Sequence, residues 1–310
     1  MRSRDEVREL LRRRSNRPLD LGSVLIVLFV PVLLFAVVYW IFGYSLRFHL
    51  WPVALLLGPV LGLLVCLGIT SRAWAKLKQD GSARAWIALA VCSWIALILA
   101  TIRADMAYWS YSHPHYMYKE LADYVNIDPS VDKGQAYMDS GQVYFKENSY
   151  VDTATATAYR SGMTFCVAPI VRQPPANQGG ASQVAVNGPM VTPESGTVDW
   201  WAVGTNCCNP SGKEFKCGAV NNTEARSGLR LMRDDVRPFF LMAVQEWSAG
   251  LNIPVKHPLF FYWVQDPLAE VDEYGTDGDH MYWVDLFGFF ILNFGLTFSV
   301  MYLLYSRSIK

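Results

Sequence analysis

The chain has 310 residues, is 52% hydrophobic, and carries 27 Lys and Arg against 27 Asp and Glu. It lacks the basic excess expected of a nucleic-acid-binding domain, and its length admits either one large soluble domain or a membrane protein. The distribution of apolar residues selects the second. Ser23 to Phe42, Pro52 to Ile69, Ala85 to Ile102 and Trp283 to Tyr305 are nearly free of charge, and each approaches the roughly 20 residues that span a hydrocarbon core. Backbone amides in a bilayer need internal partners, so each run is predicted to be a helix.

Residues 1–22 form a basic tail with Arg2, Arg4, Arg8, Arg12, Arg13, Arg14 and Arg17. Its Asp5 to Arg14 stretch reads either as a basic amphipathic helix on an anionic leaflet or as a solvated topogenic tail. The first apolar run reads as an uncleaved anchor, because Tyr39, Trp40, Ile41 and Phe42 stand where a signal peptide would have small residues. Residues 23–102 thus hold three transmembrane helices with short loops. Gly58 and Gly62 have the small-xxx-small spacing that lets a neighbouring helix come close, and Pro31 and Pro59 are candidate kinks.

Lys and Arg set the orientation. The second connection carries Arg72, Lys76, Lys78 and Arg84, and the chain ends with Arg307 and Lys310. The positive-inside bias places both termini and this loop in the cytoplasm. It places residues 103–282 on the extracellular or luminal side, with 283–305 as the fourth helix and 306–310 as a short cytoplasmic tail. In the fourth helix Asp285 and Asn293 are the polar candidates for a solute pathway; the alternative for Asp285 is a position at the outer interface.

The segment between the third and fourth helices is acidic, with 12 Lys and Arg against 21 Asp and Glu from Asp105 to Asp279. That balance favours cationic partners over nucleic acid. Met106 to Tyr118 reads as an interfacial aromatic belt, Lys119 to Val125 as a short helix, and Asp128-Pro129 as a turn. Strands are predicted at Gln142 to Phe145, Tyr150 to Tyr159, Met163 to Val171, Val198 to Val203 and His257 to Trp263. Gln173 to Ser182 is a Pro, Gly and Asn rich loop. A helix is allowed over Glu224 to Asp234. A stronger one follows, with Phe240, Val244, Trp247 and Leu251 on one face, Pro238 in its first turn and Gly250 as its stop. The predicted class is α+β: a four-helix membrane region with a large disulfide-containing ectodomain inserted between helices 3 and 4.

Cys166, Cys207, Cys208 and Cys217 fall in this segment, and four cysteines on a non-cytoplasmic side predict two disulfides. A ring between adjacent Cys207 and Cys208 is strained. One of the two therefore joins Cys217 and the other Cys166, with the choice left open. Metal binding by the four thiolates is the alternative, without the paired C-x-x-C spacing of a zinc site. Asn221-Asn222-Thr223 is an N-glycosylation sequon.

All five histidines fall on the outer side in this topology. His113, His115 and His280 with Asp277 and Asp279 offer donors for a transition metal, and the acidic run from Asp266 to Asp279 offers oxygen ligands for calcium without the EF-hand spacing. The competing readings are polar belt residues and a solvated linker. No nucleophile elbow, phosphate-binding glycine loop or H-E-x-x-H motif occurs.

Four crossings, a short first outer loop and a long second one with a Cys-Cys pair resemble the tetraspanin topology, although that family's Cys-Cys-Gly stands here as Cys207-Cys208-Asn209. The stretch Gly204 to Pro267, with Asn206-Cys207-Cys208, Phe215-Lys216-Cys217-Gly218 and His257-Pro258-Leu259-Phe260-Phe261-Tyr262-Trp263, resembles a group of uncharacterised dinoflagellate membrane proteins. It covers about a fifth of the chain and implies no activity. The sequence therefore predicts a non-enzymatic accessory or structural subunit, partnered by the lipid bilayer and by other membrane or extracellular/luminal proteins. The alternatives are a metalloprotein or oxidoreductase using the outer histidines, and a transporter using Asp285 and Asn293.

Overall fold

The computed structural model describes residues 21–80, 84–173 and 196–306. The Asp5 to Arg14 stretch, Arg307 and Lys310, and the predicted loop after Gln173 lie outside them. The helices in chain order are α1 (Leu21–Gly43), α2 (Ser45–His49), α3 (Trp51–Leu55), α4 (Leu61–Asp80), α5 (Arg84–Ala107), α6 (His113–Glu120), α7 (Arg237–Leu251) and α8 (Pro267–Ser306). One π-helical turn, Leu56–Val60, joins α3 to α4, and another, Tyr108–Ser112, joins α5 to α6. The strands are β1 (Ala122–Ile127), β2 (Ser140–Phe145), β3 (Ser149–Val151), β4 (Thr157–Ser161), β5 (Met163–Arg172), β6 (Trp200–Thr205), β7 (Ser227–Arg230) and β8 (Leu259–Val264). Two units result, first the described parts of Met1–Tyr116 with Tyr274–Lys310, and second Met117–Glu273.

In the first unit, Gly22–Gly43, Trp51–Lys78, Ala85–Glu120 and Pro267–Val300 are long and apolar enough to cross a membrane. They are compatible with a multi-pass integral membrane protein. Their polarity is inverted relative to a soluble bundle: Phe29, Leu33, Trp40, Leu64, Ile98, Phe287, Ile291 and Phe298 face outward, as hydrocarbon surroundings permit. Inside, Ala96, Ala100, Ala104 and Ala107 form a small-residue stripe on α5, buried with Phe35, Val38 and Tyr39 of α1 and Phe289 of α8. Without a hydrophobic driving force between helices in lipid, such stripes stabilise by letting backbones pack closely. Gly62 works the same way. A Cβ there would stand 2.6 Å from Leu97 Cδ1 and 3.3 Å from Val38 Cγ2, while Gly58 faces Ile41 and Phe42. The two glycines therefore pack within this chain.

The second unit is a mixed sheet in the order β1-β2-β7-β8-β6-β5-β3, with β4 also pairing with β5. The β1/β2 and β6/β8 pairs are parallel and the rest antiparallel. Alternation along strands sends neighbouring residues to opposite faces. Trp200 and Trp201, adjacent on β6, are both fully buried, one in each of two cores. On one face Trp200 packs with Phe145, Phe261, Trp263 and the cysteine-bearing segment. On the other Trp201 meets Trp247 of α7 edge to face at 4.9 Å, alongside Phe165, Val203, Phe240, Val244 and Phe260. Burial on both faces is why β8 reads as the unbroken apolar run Leu259–Val264.

Several predicted boundaries change. The aromatic belt is helical, and the third predicted helix continues through α6 to Glu120. Lys119 to Val125 is not a helix of its own, since Ala122–Ile127 is strand β1. Glu224 to Asp234 is not a helix either; Ser227–Arg230 is inserted between β2 and β8. The acidic run is no extended linker but the first turns of the 40-residue α8. In α7, Phe240, Val244 and Trp247 are buried as predicted, with Ala243, while Leu251 is exposed. The helix runs through Gly250 and stops at Asn252, whose φ of 55° is the left-handed cap. A Cβ at Gly250 meets nothing within 4 Å, so Gly250→Ala is expected to raise stability by about 0.5 kcal/mol through lower unfolded-chain entropy. Urea unfolding in detergent measures it.

Candidate functional site

Two clusters concentrate the polar chemistry, one in each unit. In the helical unit Arg103 of α5 reaches Asp285 of α8 through Nε, at 3.0 and 3.1 Å from the two carboxylate oxygens, and through Nη2 at 2.8 Å. Tyr39 of α1 donates its hydroxyl to Asp285 Oδ2 at 3.2 Å. Three helices thus converge on one carboxylate, whose side chain is 12% exposed. Asp285 is therefore ion-paired within the helical unit. Arg47 donates to Asp105 at 2.6 Å and lies between the rings of Phe42 and Tyr108, 4.2 and 4.1 Å from their centroids. Deeper in the bundle, Asn293 is fully buried and its amide donates to the Leu28 carbonyl at 2.8 Å. This is one residue past the carbonyl that Pro31 leaves without its helical partner. Its Oδ1 is buried with no hydrogen-bond partner among the described residues, and the buried Thr297 hydroxyl lies against the Cys92 thiol.

Three of the histidines go to aromatic packing. His113 lies 4.8 Å from the Trp109 ring and 5.6 Å from Tyr108, and His49 and His115 meet the Tyr116 ring tilted at 6.2 Å and edge-on at 5.3 Å. His115 also fills the space beside Gly275, where a Cβ would be 2.8 Å from its ring. Asp279 accepts from Tyr44 at 3.0 Å. The structure does not gather His113, His115, His280, Asp277 and Asp279 into one donor set: residues two apart on a helix point to different sides, and all five are on α6 or α8. Of the carboxylates read as calcium ligands, Glu270, Glu273 and Asp277 share one face of α8 by their spacing, but no three of them form a close donor group among the described residues.

In the sheet unit the cysteines pair as Cys166–Cys208 and Cys207–Cys217, with Cα separations of 6.0 and 5.1 Å. This is the predicted scheme with its open choice resolved. Cys66 and Cys92 are free and buried in the helices. The two bridges touch. The sulfurs of Cys166, Cys207 and Cys217 all lie within 4.8 Å of one another, the one close group of three metal-type donors among the described residues. They stand over Gly204 of β6, the ladder partner of Cys166. A Cβ on Gly204 would be 2.5 Å from Cys207 Sγ and 2.8 Å from Cys217 Sγ. Asn221 is exposed on the turn that follows.

Two other polar positions stand out in the sheet unit: Arg230, which gave no sequence signal, and Asp266, read from the sequence as a calcium ligand. Arg230 on β7 is 7% exposed, 3.4 Å from Ser140 Oγ and 5.6 Å from the Phe261 ring. Burial, then repulsion from Arg237, pulls its pKa down to about 10. Asp266 caps α8, accepting from the Leu268 and Ala269 amides and from Tyr144 Oη at 2.7 Å. The Tyr144 hydrogen bond, first among the causes, holds the Asp266 carboxyl below its usual range. Burial and Asp266 push Tyr144 up to about 12. A depressed carboxyl pKa contributes stability above the ordinary carboxylate range, and that contribution is lost as pH falls through the depressed value. Tyr144→Phe is therefore expected to move the Asp266 pKa up towards its usual range and to weaken the protein at neutral pH, with the difference from the unaltered chain vanishing as pH falls below that range, which unfolding as a function of pH measures.

Compared with known proteins, the chain matches no family model, no curated protein and no solved structure.

Proposed function

We propose that the chain is an accessory or structural subunit of a membrane assembly, anchored by its four helices and binding other proteins through a sheet domain on the extracellular or luminal side. The observation that carries this reading is where the polar groups are spent. In the helical unit the charged pairs Arg103–Asp285 and Arg47–Asp105 and the Asn293 amide are bonded to neighbouring helices, which suits a holding role. The sheet unit has cores on both faces and two bridges of its own, which suits a stable binding module. Two arguments support the sidedness: the positive-inside distribution of Lys and Arg and the persistence of disulfides in oxidising compartments.

Native mass spectrometry of protein drawn gently from its own membrane tests the reading. Defined companion subunits, lost when the sheet domain is removed, are the expected result; a chain that stays strictly alone overturns it. Sidedness has a separate readout. Asn221 is expected to carry a glycan, so that glycosidase treatment shifts the mobility of the protein and does not shift Asn221→Gln.

A transporter is the second reading, favoured by the buried Asn293 Oδ1 in α8, which has no hydrogen-bond partner among the described residues. It requires flux in liposomes that falls on Asp285→Asn.

A further inference from the structure

Each bridge of the sheet domain joins one half-buried cysteine to one buried cysteine. Cys166 and Cys217 are 0% and 3% exposed, whereas Cys207 and Cys208 are half-buried. The buried sulfurs belong to different bridges and lie within 4.8 Å of each other, a trio completed by Cys207 but not by Cys208. Backbone geometry brings them together. Cys166 and Gly204 face each other across the β5/β6 ladder, and the space left by the missing Gly204 side chain is filled by Cys217 and Cys207. Cys217 therefore sits beside Cys166, the position a third, alternative bridge requires.

We propose that these four cysteines form one disulfide-exchange centre, which accepts two electrons from a small dithiol at Cys207 and keeps a single bridge as Cys166–Cys217. The first step is attack of a dithiol thiolate on Cys207 Sγ, which breaks Cys207–Cys217 and releases Cys217 as a thiolate. The reagent's second thiolate then attacks its own sulfur in the mixed disulfide, leaves as a cyclic disulfide and frees Cys207. The Cys217 thiolate attacks Cys166 Sγ, the near sulfur of the other bridge, and expels Cys208 as a thiolate. The dithiol has been oxidised, one protein disulfide has been reduced, and the two protons lost by the dithiol end on Cys207 and Cys208. Exchange proceeds through thiolate attack on a reachable sulfur, so electrons enter at one accessible residue and the second thiol emerges at its neighbour. This centre is independent of the assembly reading.

The test treats the purified full-length protein in detergent with one equivalent of dithiothreitol, followed by acid quench, alkylation and peptide mapping without further reduction. The expected product has a Cys166–Cys217 crosslink and alkyl groups on Cys207 and Cys208. Alkyl groups on Cys207 and Cys217 beside an intact Cys166–Cys208, or no reaction at one equivalent, would overturn the proposal. A second measurement approaches from the other side. The double variant C207S/C208S is expected to close Cys166–Cys217 during folding, and two free thiols at these positions in the folded variant would count equally against it. Should that variant fail to fold, the mapping on the unaltered chain still decides.

Discussion

Arg103→Ala is expected to destabilise the helical unit by about 2–4 kcal/mol, reduced from the roughly 3–5 kcal/mol for breaking a fully buried ion pair. The loss comes from what stays behind. Asp285 would keep its charge with only the Tyr39 hydroxyl at 3.2 Å, in place of a guanidinium holding both carboxylate oxygens. A bare carboxylate among apolar helices is costly. The arginine side chain is 39% exposed, which tempers the effect because solvent screens part of the attraction. Pairing the change with Asp285→Asn separates the terms: Arg103→Ala with Asp285→Asn is expected to be more stable than Arg103→Ala alone, since no uncompensated charge remains. Thermal unfolding of the four proteins in one detergent gives the cycle. A single-variant cost below about 0.5 kcal/mol would mean that the pair does not hold the three helices together.

Gly218→Ala is expected to cost the sheet unit about 2–5 kcal/mol, from two sources that act together. Gly218 has a φ of 62°, where a side chain costs about 1–2 kcal/mol. Its missing Cβ would also run into the Trp263 carbonyl, and overpacking against backbone costs about 1–3 kcal/mol more. That carbonyl accepts from the Ala219 amide at 2.8 Å, the bond that ties the segment after Cys217 onto β8. Relieving the clash breaks it. Denaturant unfolding is the measurement, and a loss below about 1 kcal/mol would show that the segment can shift without cost.

The membrane runs were legible because composition alone separates 20 uncharged residues from any loop, and their ends were not, because helix continues after the apolar pattern stops. Glu270, Asp272 and Glu273 have sufficient helix propensity to extend α8 backwards from the bilayer segment, though an acidic stretch rich in Gly reads as linker. β1 and β7 failed for a different reason. Ser227–Arg230 has four residues, too few for a period, and its partners Gln142 to Tyr144 and Phe261 to Val264 are distant in the chain. The cysteine scheme was reachable because the adjacent pair excludes its own closure, but nothing in the spacing shows that the two bridges touch. That depends on Gly204 lying opposite Cys166. The Arg103–Asp285 pair was within reach: one residue follows the third apolar run and the other opens the fourth, so antiparallel neighbours bring them to the same level.

The π-helical turn at Leu56–Val60 fixes the phase between the two halves of one membrane helix. It contains Pro59, which has no amide to donate, and it holds one residue more than a regular turn of the same height. Deleting a single residue beside it, with the turn itself kept, would rotate everything beyond it by about 100°. Gly62 would swing away from Leu97 and Val38, and the Cys66 thiol would leave the Ser93 carbonyl 3.5 Å away. Hydrophobicity would be unchanged, and the shortened helix would still insert. Length variation that a loop would absorb is therefore forbidden at this point, and a frame error of one residue would show itself as misassembly of a fully inserted protein.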